Sequence, residues 1–533
     1  MIARALIAAL ALLLFAAPTA GAHATLERSS PADGTQLEAA PATVTMHFSE
    51  PVQLGPGAIQ LLNAAGDELK TAKPRAQGAD VALTLPRGLT DGTYVVAWRV
   101  TSADSHPVSG AFSFSVGDAS PAVLVQPGER QASEAVKLAD GIARGVAFAG
   151  FALAVGGACV LLLLWPEGRA SARGRRVVAV GLSALLAGSL ALLLLQGPYA
   201  GGGGLLDALK PSLLSFSVST PFGQALLVRI ALALAFAVLV ARAVQRPSTG
   251  LLAGAAACAV ALVFTWTLTD HSHTGVQTWL GVPAASAHLL AMALWLGGLT
   301  LLLACVLGRR AQASLLPVVP RFSRMALVCF AVLAATGVYL AWRQSGALAA
   351  LPATGFGRLL LIKLGIVLAI VGLAALSRRA VQRADGDLGR RLRRSVAAEV
   401  ALGVVVLGVT ASLVNAEPAR TAYAPPVDVT RPAPGGGHVQ VHVEPAKQGD
   451  NVADVYLVGR GGRLLMPPEV TAKLQPPPGR GLGALPVELG AAEPGHYVAP
   501  ALTVPFPGAW TLRITVRTSE FDEDVVDVPI EIR

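Results

Sequence analysis

Two kinds of hydrophobic pattern divide this chain. Over residues 23–118 apolar and polar positions alternate with a period of two. Val44, Met46 and Phe48 are set against Thr45, His47 and Ser49, as in a strand with one buried face. Similar runs occupy 58–62, 81–85, 94–100 and 112–116, with turn signals at Asp33-Gly34, Gly66-Asp67 and Asp91-Gly92. Short strands at this spacing predict a small β-sandwich or barrel. The pattern then changes to eight long apolar stretches, near 140–165, 177–196, 224–244, 249–268, 279–307, 322–342, 359–377 and 396–415. Most are long enough to cross a hydrocarbon layer of ~30 Å as helices. After a Pro/Gly-rich stretch, alternation returns in runs such as 438–443, 452–457 and 510–516. About six strands there predict an immunoglobulin-like sandwich.

The expected fold class is a multidomain membrane protein. It has an N-terminal all-β domain, a central all-α bundle of eight transmembrane helices and a C-terminal all-β sandwich. Arg4, an apolar run over 7–17 and Ala20-Gly21-Ala22 read as a secretory signal over 1–22. The expected parts are then a β-domain at 23–118, a linker at 119–137, a membrane domain at 138–415, a second linker at 416–437 and a β-domain at 438–533.

Composition agrees with membrane insertion: 53% of residues are hydrophobic and only 14% charged. The net charge of +9 is unevenly placed, with −4 over 23–118, −4 from Glu417 onward and +16 between them. The excess of cations belongs to the membrane part and does not point to nucleic acid. Alternate interhelical connections hold 17 basic residues, among them Arg169, Arg173, Arg175, Arg176, Arg242, Arg246, Arg321, Arg324, Arg393 and Arg394. The intervening connections hold only Lys210, Arg343 and Arg358. The positive loops are expected on the cytoplasmic side of a bacterial inner membrane, with both β-domains outside.

An internal repeat crosses the bundle. Thr220-Pro-Phe-Gly-Gln-Ala-Leu-Leu-Val-Arg229 matches Thr354-Gly-Phe-Gly-Arg-Leu-Leu-Leu-Ile-Lys363, and Gly156-Gly157 corresponds to Gly297-Gly298. Four helices per half predict a parallel duplication about an axis along the membrane normal. Arg229 and Lys363 lie several residues into their helices, where snorkelling or a shared counter-charge role would account for them.

The strongest candidate chemistry lies at His23, Asp104 and His106. Cleavage after Ala22 makes His23 the first residue and gives it an α-amine beside its imidazole. The two can close a chelate ring. In Asp104-Ser105-His106 the outer two residues share one face of an extended segment. Three nitrogens and one oxygen suit tetragonal Cu(II). An Asp-x-His pair alone is an ordinary surface feature; the N-terminal histidine is what raises it.

In the membrane part His288 and Met292 are four apart on a helix, an imidazole and a thioether suited to copper. His271 and His273 precede that helix. A buried hydrogen bond for His288 and plain packing for Met292 are the bland readings. Cys159, Cys305 and Cys329 fall toward the basic-loop side, where thiolates could accept Cu(I), although buried cysteine is usually packing. Met46 is expected in the β-core and His47 exposed. His438, Gln440 and His442 share a strand face that could hold a weak metal site or simply be solvated.

Residues 23–118 resemble the CopC copper-resistance family. The likeness rests on His23-Ala-Thr-Leu-Glu-Arg-Ser-Ser-Pro-Ala-Asp-Gly, Val44-Thr-Met-His-Phe-Ser-Glu-Pro-Val and Asp104-Ser-His-Pro-Val-Ser-Gly-Ala-Phe. The resemblance implies His23, Asp104 and His106 as Cu(II) ligands. The membrane part is similar to CopD, through His288-x6-Trp295-Leu-Gly-Gly298 and Thr354-x-Phe-Gly-x-x-Leu-Leu-x-Lys363. The last domain resembles YtkA-type extracytoplasmic domains more loosely. These likenesses imply a non-enzymatic copper protein that captures Cu(II) outside and carries copper inward, with Cu(I) in the membrane path. Its partners would be copper, the lipid bilayer and other extracytoplasmic copper carriers. Two other functions fit the residues: a haem-binding membrane redox protein using His271, His273 and His288, or a membrane-anchored module that sequesters or senses copper. No Walker-type loop or cation-pump phosphorylation motif is present.

Overall fold

The computed structural model of the chain describes residues 24–103, 107–117, 132–269, 277–306, 312–382, 388–433, 436–477, 483–518 and 522–533. The segment 1–22 expected to be a secretory signal lies outside them.

The N-terminal domain packs two sheets face to face. One has strand order β1-β3-β7-β6 and the other β2-β9-β8-β4-β5. The strands are β1 (Leu26–Ser30), β2 (Thr35–Leu37), β3 (Thr43–Phe48), β4 (Gln53–Leu62), β5 (Glu68–Leu69), β6 (Arg75–Gln77), β7 (Asp80–Thr84), β8 (Gly92–Thr101) and β9 (Pro107–Val116). The alternation in β3 does what its pattern predicts. Val44, Met46 and Phe48 are fully buried and meet Leu61, Val96 and Phe114 of the facing sheet in one core. His47 points the other way, yet is only partly exposed, because Asp80 holds its Nδ1 at 2.6 Å.

The bundle contains eight helices long and apolar enough to cross a membrane among the described residues. They are α1 (Glu134–Cys159), α2 (Ala172–Gly201), α4 (Pro221–Gln245), α5 (Thr249–Thr267), α6 (Thr278–Leu301), α7 (Gln312–Ser345), α9 (Gly355–Gln382) and α10 (Leu388–Val414). Short helices α3 (Pro211–Ser219) and α8 (Ala350–Ala353) precede α4 and α9, and α11 (Ala419–Ala422) follows α10. The first span begins at Glu134, capped by the Ser133 hydroxyl, which accepts from the Val136 amide.

The duplication read from the sequence has a structural counterpart. Thr220 caps α4 by accepting from Gly223 N at 3.0 Å while donating to Ser217 O. Thr354 caps α9 in the same way, accepting from Gly357 N at 3.0 Å and donating to Ala350 O. In both copies glycine is required, because a Cβ on Gly223 or Gly357 would collide with the carbonyl of Ser217 or Leu351. Helices α1 and α6 each end in a π turn, Val160–Leu164 and Leu302–Val306. They cross where Gly156 meets Gly297: a Cβ on Gly156 would strike the Ala293 carbonyl, and one on Gly297 the Ala152 carbonyl. Small residues are what allow such close backbone approach in a membrane, where apolar side chains gain little by leaving lipid.

The C-terminal domain again stacks two sheets, β10-β11-β12-β16-β15 and β14-β13-β17-β18. Nine strands form, not six: β10 (Val427–Pro432), β11 (His438–Glu444), β12 (Gly449–Val458), β13 (Glu469–Gln475), β14 (Leu485–Val487), β15 (Gly490–Glu493), β16 (His496–Val504), β17 (Gly508–Arg517) and β18 (Glu523–Ile532). The extra ones are mostly short or polar, so hydrophobic alternation does not mark them. Trp510 is the central buried side chain and donates to Phe506 O.

Gly156→Ala is expected to cost ~1–3 kcal/mol through overpacking, read as a lower unfolding temperature in detergent. Gly145→Ala, with nothing within 4 Å of its added Cβ, is expected to be neutral or slightly stabilising. Equal losses in the two variants would show that the crossing is not the tight point.

Candidate functional site

Asp104, Ser105 and His106, and likewise His23, lie outside the described residues, but the chain on either side of them is defined. Strands β8 and β9 are paired to their last residues, Thr101 against Pro107, so residues 102–106 connect them at one end of the domain. Ala103 N donates to the Glu50 carboxylate at 3.3 Å. One residue earlier in sequence, Ser49 N donates to Thr25 O, and Thr25 N to the Ser49 hydroxyl. Residues 24–25, 49–50 and 103 therefore gather at the same end of the sandwich. Positions distant in sequence are brought together by the register of β1 on β3 and the crossing from β3 to β4.

That end faces the bundle. Arg99, two residues before the end of β8, donates through Nε to Ala200 O at 2.7 Å and through a terminal nitrogen to Tyr199 O at 3.2 Å. These are carbonyls of the last turn of α2, which intrahelical bonding leaves open. A cation is also favoured there by the helix dipole. Phe216 of α3 lies directly beneath Gly55 of β4. Arg420 of α11 repeats the arrangement at the end of α7, donating to Arg343 O and Trp342 O and lying over the Trp342 ring. The pair of helices related by the duplication thus ends in two arginine caps, one from each flanking segment.

Within the bundle, His288 is held by one directional bond. Its Nδ1 lies 2.9 Å from the Thr336 hydroxyl. That hydroxyl already donates to Val332 O at 2.6 Å, so it accepts from His288, and Nδ1 must carry the ring proton. Nε2 is left with the lone pair and has no hydrogen-bond partner among the described residues. An imidazole oriented by one nitrogen with the other open is how protein ligands are fixed for a metal. Lys363 interacts with this ring electrostatically. Met292, one turn along α6, packs instead among Phe148, Leu296 and Leu407. The structure therefore gives the two residues different neighbours. His271 and His273 lie outside the described residues.

Arg229 does not snorkel. It is fully buried, donating to the Thr265 hydroxyl and carbonyl at 2.8 and 2.9 Å. Its guanidinium lies 3.7 Å from the centre of the Trp266 ring, which stacks on Phe148 and packs at a tilt against Phe151. The carbonyl is accessible because Thr265 is near the end of α5. Lys363 is less buried, so the repeat preserves the charge but not its setting.

Sequence reasoning missed a second polar cluster near the start of α1. Asp140 is fully buried, bonded by Arg144 Nε at 2.6 Å and by Asn415 Nδ2 at 3.3 Å. The remaining oxygens of Asp140 and Asn415, and both amide atoms of Gln196, are buried without a hydrogen-bond partner among the described residues. An Asp-x-x-x-Arg pair at helical spacing was the available signal, but it sits in the first turns of the stretch read as an apolar span.

In the C-terminal domain the shared face of His438, Gln440 and His442 is real, and each histidine has a partner. His438 Nε2 lies 3.2 Å from Gln440 and His442 Nδ1 2.7 Å from Asp428. His496 is bonded to Asp454 and stacked on Tyr456. Among the described residues no three His, Cys, Asp or Glu side chains converge as a metal site.

Three family descriptions match the chain. The CopC domain matches residues 26–117, the copper resistance protein D-like N-terminal domain 137–282, and copper resistance protein D 316–413. The chain is 28% identical over 468 residues to the copper transport protein CutJ of Bacillus subtilis, covering 84% of each. It is 35% identical over 119 residues to protein YobA of Escherichia coli, covering 21% of this chain and 96% of that one. Among solved structures, CopC from Methylosinus trichosporium OB3b is 29% identical, covering 19% of this chain and 99% of that chain, with a TM-score of 0.17.

The Asp428 bond, and then the nearby Glu444 and Asp454, hold the His442 imidazolium above its ordinary pKa. A raised folded pKa means that this contact stabilises the domain fully below pH ~6.5 and is lost as pH rises through the folded value. Asp428→Asn is expected to bring the His442 titration, followed by NMR, back toward the ordinary value. An unmoved titration would assign the shift to other charges.

Proposed function

We propose, from the premise that the chain belongs to the CopC/CopD copper-resistance family, that it captures Cu(II) outside the membrane and passes copper inward. The chain is a multi-pass membrane protein with a copper-family β-domain and a copper-family helical domain. The finer reading assigns Cu(II) to the α-amine and imidazole of His23 with Asp104 and His106. It places the arginine-rich connections in the cytoplasm and both β-domains outside.

The observation that carries the reading is where the flanks of these residues lie. Residues 24–25 and 103 meet around Ser49 and Glu50, at the end of the domain where Arg99 fastens it to α2. A metal held there sits at the mouth of the bundle and needs no long diffusive step to enter it. Inside, a cation in hydrocarbon is too costly without ligands, and His288 offers an oriented, open Nε2.

Three outcomes follow. The mature protein begins at His23, and extending it by one residue weakens Cu(II) binding sharply, because the amine becomes an amide; N-terminal sequencing and a Cu(II) titration check both, and unchanged affinity overturns the ligand set. Asp104→Ala and His106→Ala each weaken Cu(II) binding while the β-domain keeps its circular dichroism. His288→Ala abolishes copper uptake into vesicles carrying the protein, yet leaves Cu(II) binding by the β-domain intact. Wild-type uptake by an inserted His288→Ala protein would remove this helix face from the route.

A further inference from the structure

Helix α1 ends on a sulfur. Cys159 is the last α-helical residue before the π turn Val160–Leu164, and its Sγ lies 3.9 Å from the Sδ of Met325 on α7. Cys329 is one turn further along the same face of α7 and is buried. The face is continuous: Val318 and Phe322 are buried in the core that α1, α6 and α7 share, and Phe322 fills the space over Gly298. A thiol and a thioether from two helices therefore touch, with a second, buried thiol one helical turn along, in a largely apolar wall.

We infer that Cys159, Met325 and Cys329 form a three-sulfur site for Cu(I) at the arginine-rich end of the bundle. This deepens the transport reading and rests on it for the direction of travel, but not for the chemistry of the site. Thiolate and thioether are soft ligands that select Cu(I) over harder cations. Metal–sulfur bonds of ~2.3 Å, as for zinc thiolates, put the sulfurs of a trigonal site about 4 Å apart, and the observed Cys159–Met325 edge already has that length. Binding is a proton exchange without electron transfer: Cu(II) captured outside first takes one electron from an external thiol reductant, and the metal reaches this site as Cu(I). One thiol gives up its proton to become a thiolate as Cu(I) enters, and the second thiol and the thioether complete the coordination. The product is neutral, which is the charge state that apolar surroundings tolerate.

Two further features support the assignment. A π turn begins immediately after Cys159, and such turns are frequent at functional sites. The positive rim is close: Arg321, one turn before Met325, reaches the Leu164 carbonyl at the end of the same π turn. This guanidinium lies where a departing copper ion would meet the aqueous phase. Cys305, in the matching π turn of α6, is only partly buried and has no sulfur neighbour among the described residues.

The test uses the full-length protein in detergent, carrying His106→Ala to disable the outer site, titrated anaerobically with Cu(I) against a chromophoric chelator. Copper X-ray absorption of the loaded protein should show sulfur neighbours at ~2.3 Å. Cys159→Ser/Cys329→Ser should remove them. Met325→Leu, which keeps approximate volume and both thiols, should weaken Cu(I) binding by roughly 10–100-fold, with the unfolding temperature as the control for folding. Unchanged Cu(I) affinity in Met325→Leu, or a spectrum with nitrogen and oxygen neighbours only, would reduce the cluster to packing around an S–H···S contact. Vesicle uptake by the wild type separates the two readings. Cu(I) bound to sulfur in a protein that moves no copper keeps the site and ends the transport reading. Uptake without sulfur-bound Cu(I) does the reverse.

Discussion

The backbone contact between Gly156 and Gly297 is the constraint around which the bundle is built. In lipid there is no hydrophobic force to press two apolar helices together, so they associate where their backbones can pack closely. Here a single added methyl on either helix would meet a carbonyl of the other. The crossing relates α1 to α6, the first helices of the two repeated halves, and each leaves it into a π turn. Everything else is arranged around this axis: α2 packs on α1 through Gly150, Gly181 and Gly188, and α7 packs its Val318–Phe322–Met325 face into the notch beside the π turns.

Polar groups inside the bundle are tied to specific acceptors, as the solvent demands. Arg229 bonds the end of α5 and lies on an aromatic stack. Arg144 and Asn415 share the buried carboxylate of Asp140, a pair whose desolvation is offset only by close geometry. His288 is oriented by Thr336. The arginine caps of Arg99 and Arg420 work on the same principle at the surface: open carbonyls of two long helices become the fastening points for the flanking segments. The helix ends are thus both a structural requirement and the means by which the β-domain is docked.

Much of this was legible in the chain. The period of two in β3, the eight long apolar stretches, the Thr-x-Phe-Gly repeat and the unequal sharing of arginine between loops are local properties. Each is written in consecutive residues; the first three mark elements, spans and their repeat, and the last distinguishes one set of loops from the other. The short strands of the last domain were not legible, since β15 is entirely exposed and carries no alternation.

What the sequence by itself determined is the inventory: two β-domains, a duplicated membrane part, and histidine, carboxylate and sulfur side chains of the kind copper uses. The tertiary structure decided which of these meet. Helical spacing places Met292 one turn from His288, but spacing along one helix says nothing about the helix that faces it. Met325 and Cys159 are 166 residues apart and touch only because the glycine crossing and the π turn set α1 against α7. Likewise Ser49 and Glu50 gather residues 24–25 and 103 through strand register, a non-local property. Contacts between distant segments depend on packing geometry, and packing geometry is fixed by the whole fold rather than by any stretch of it.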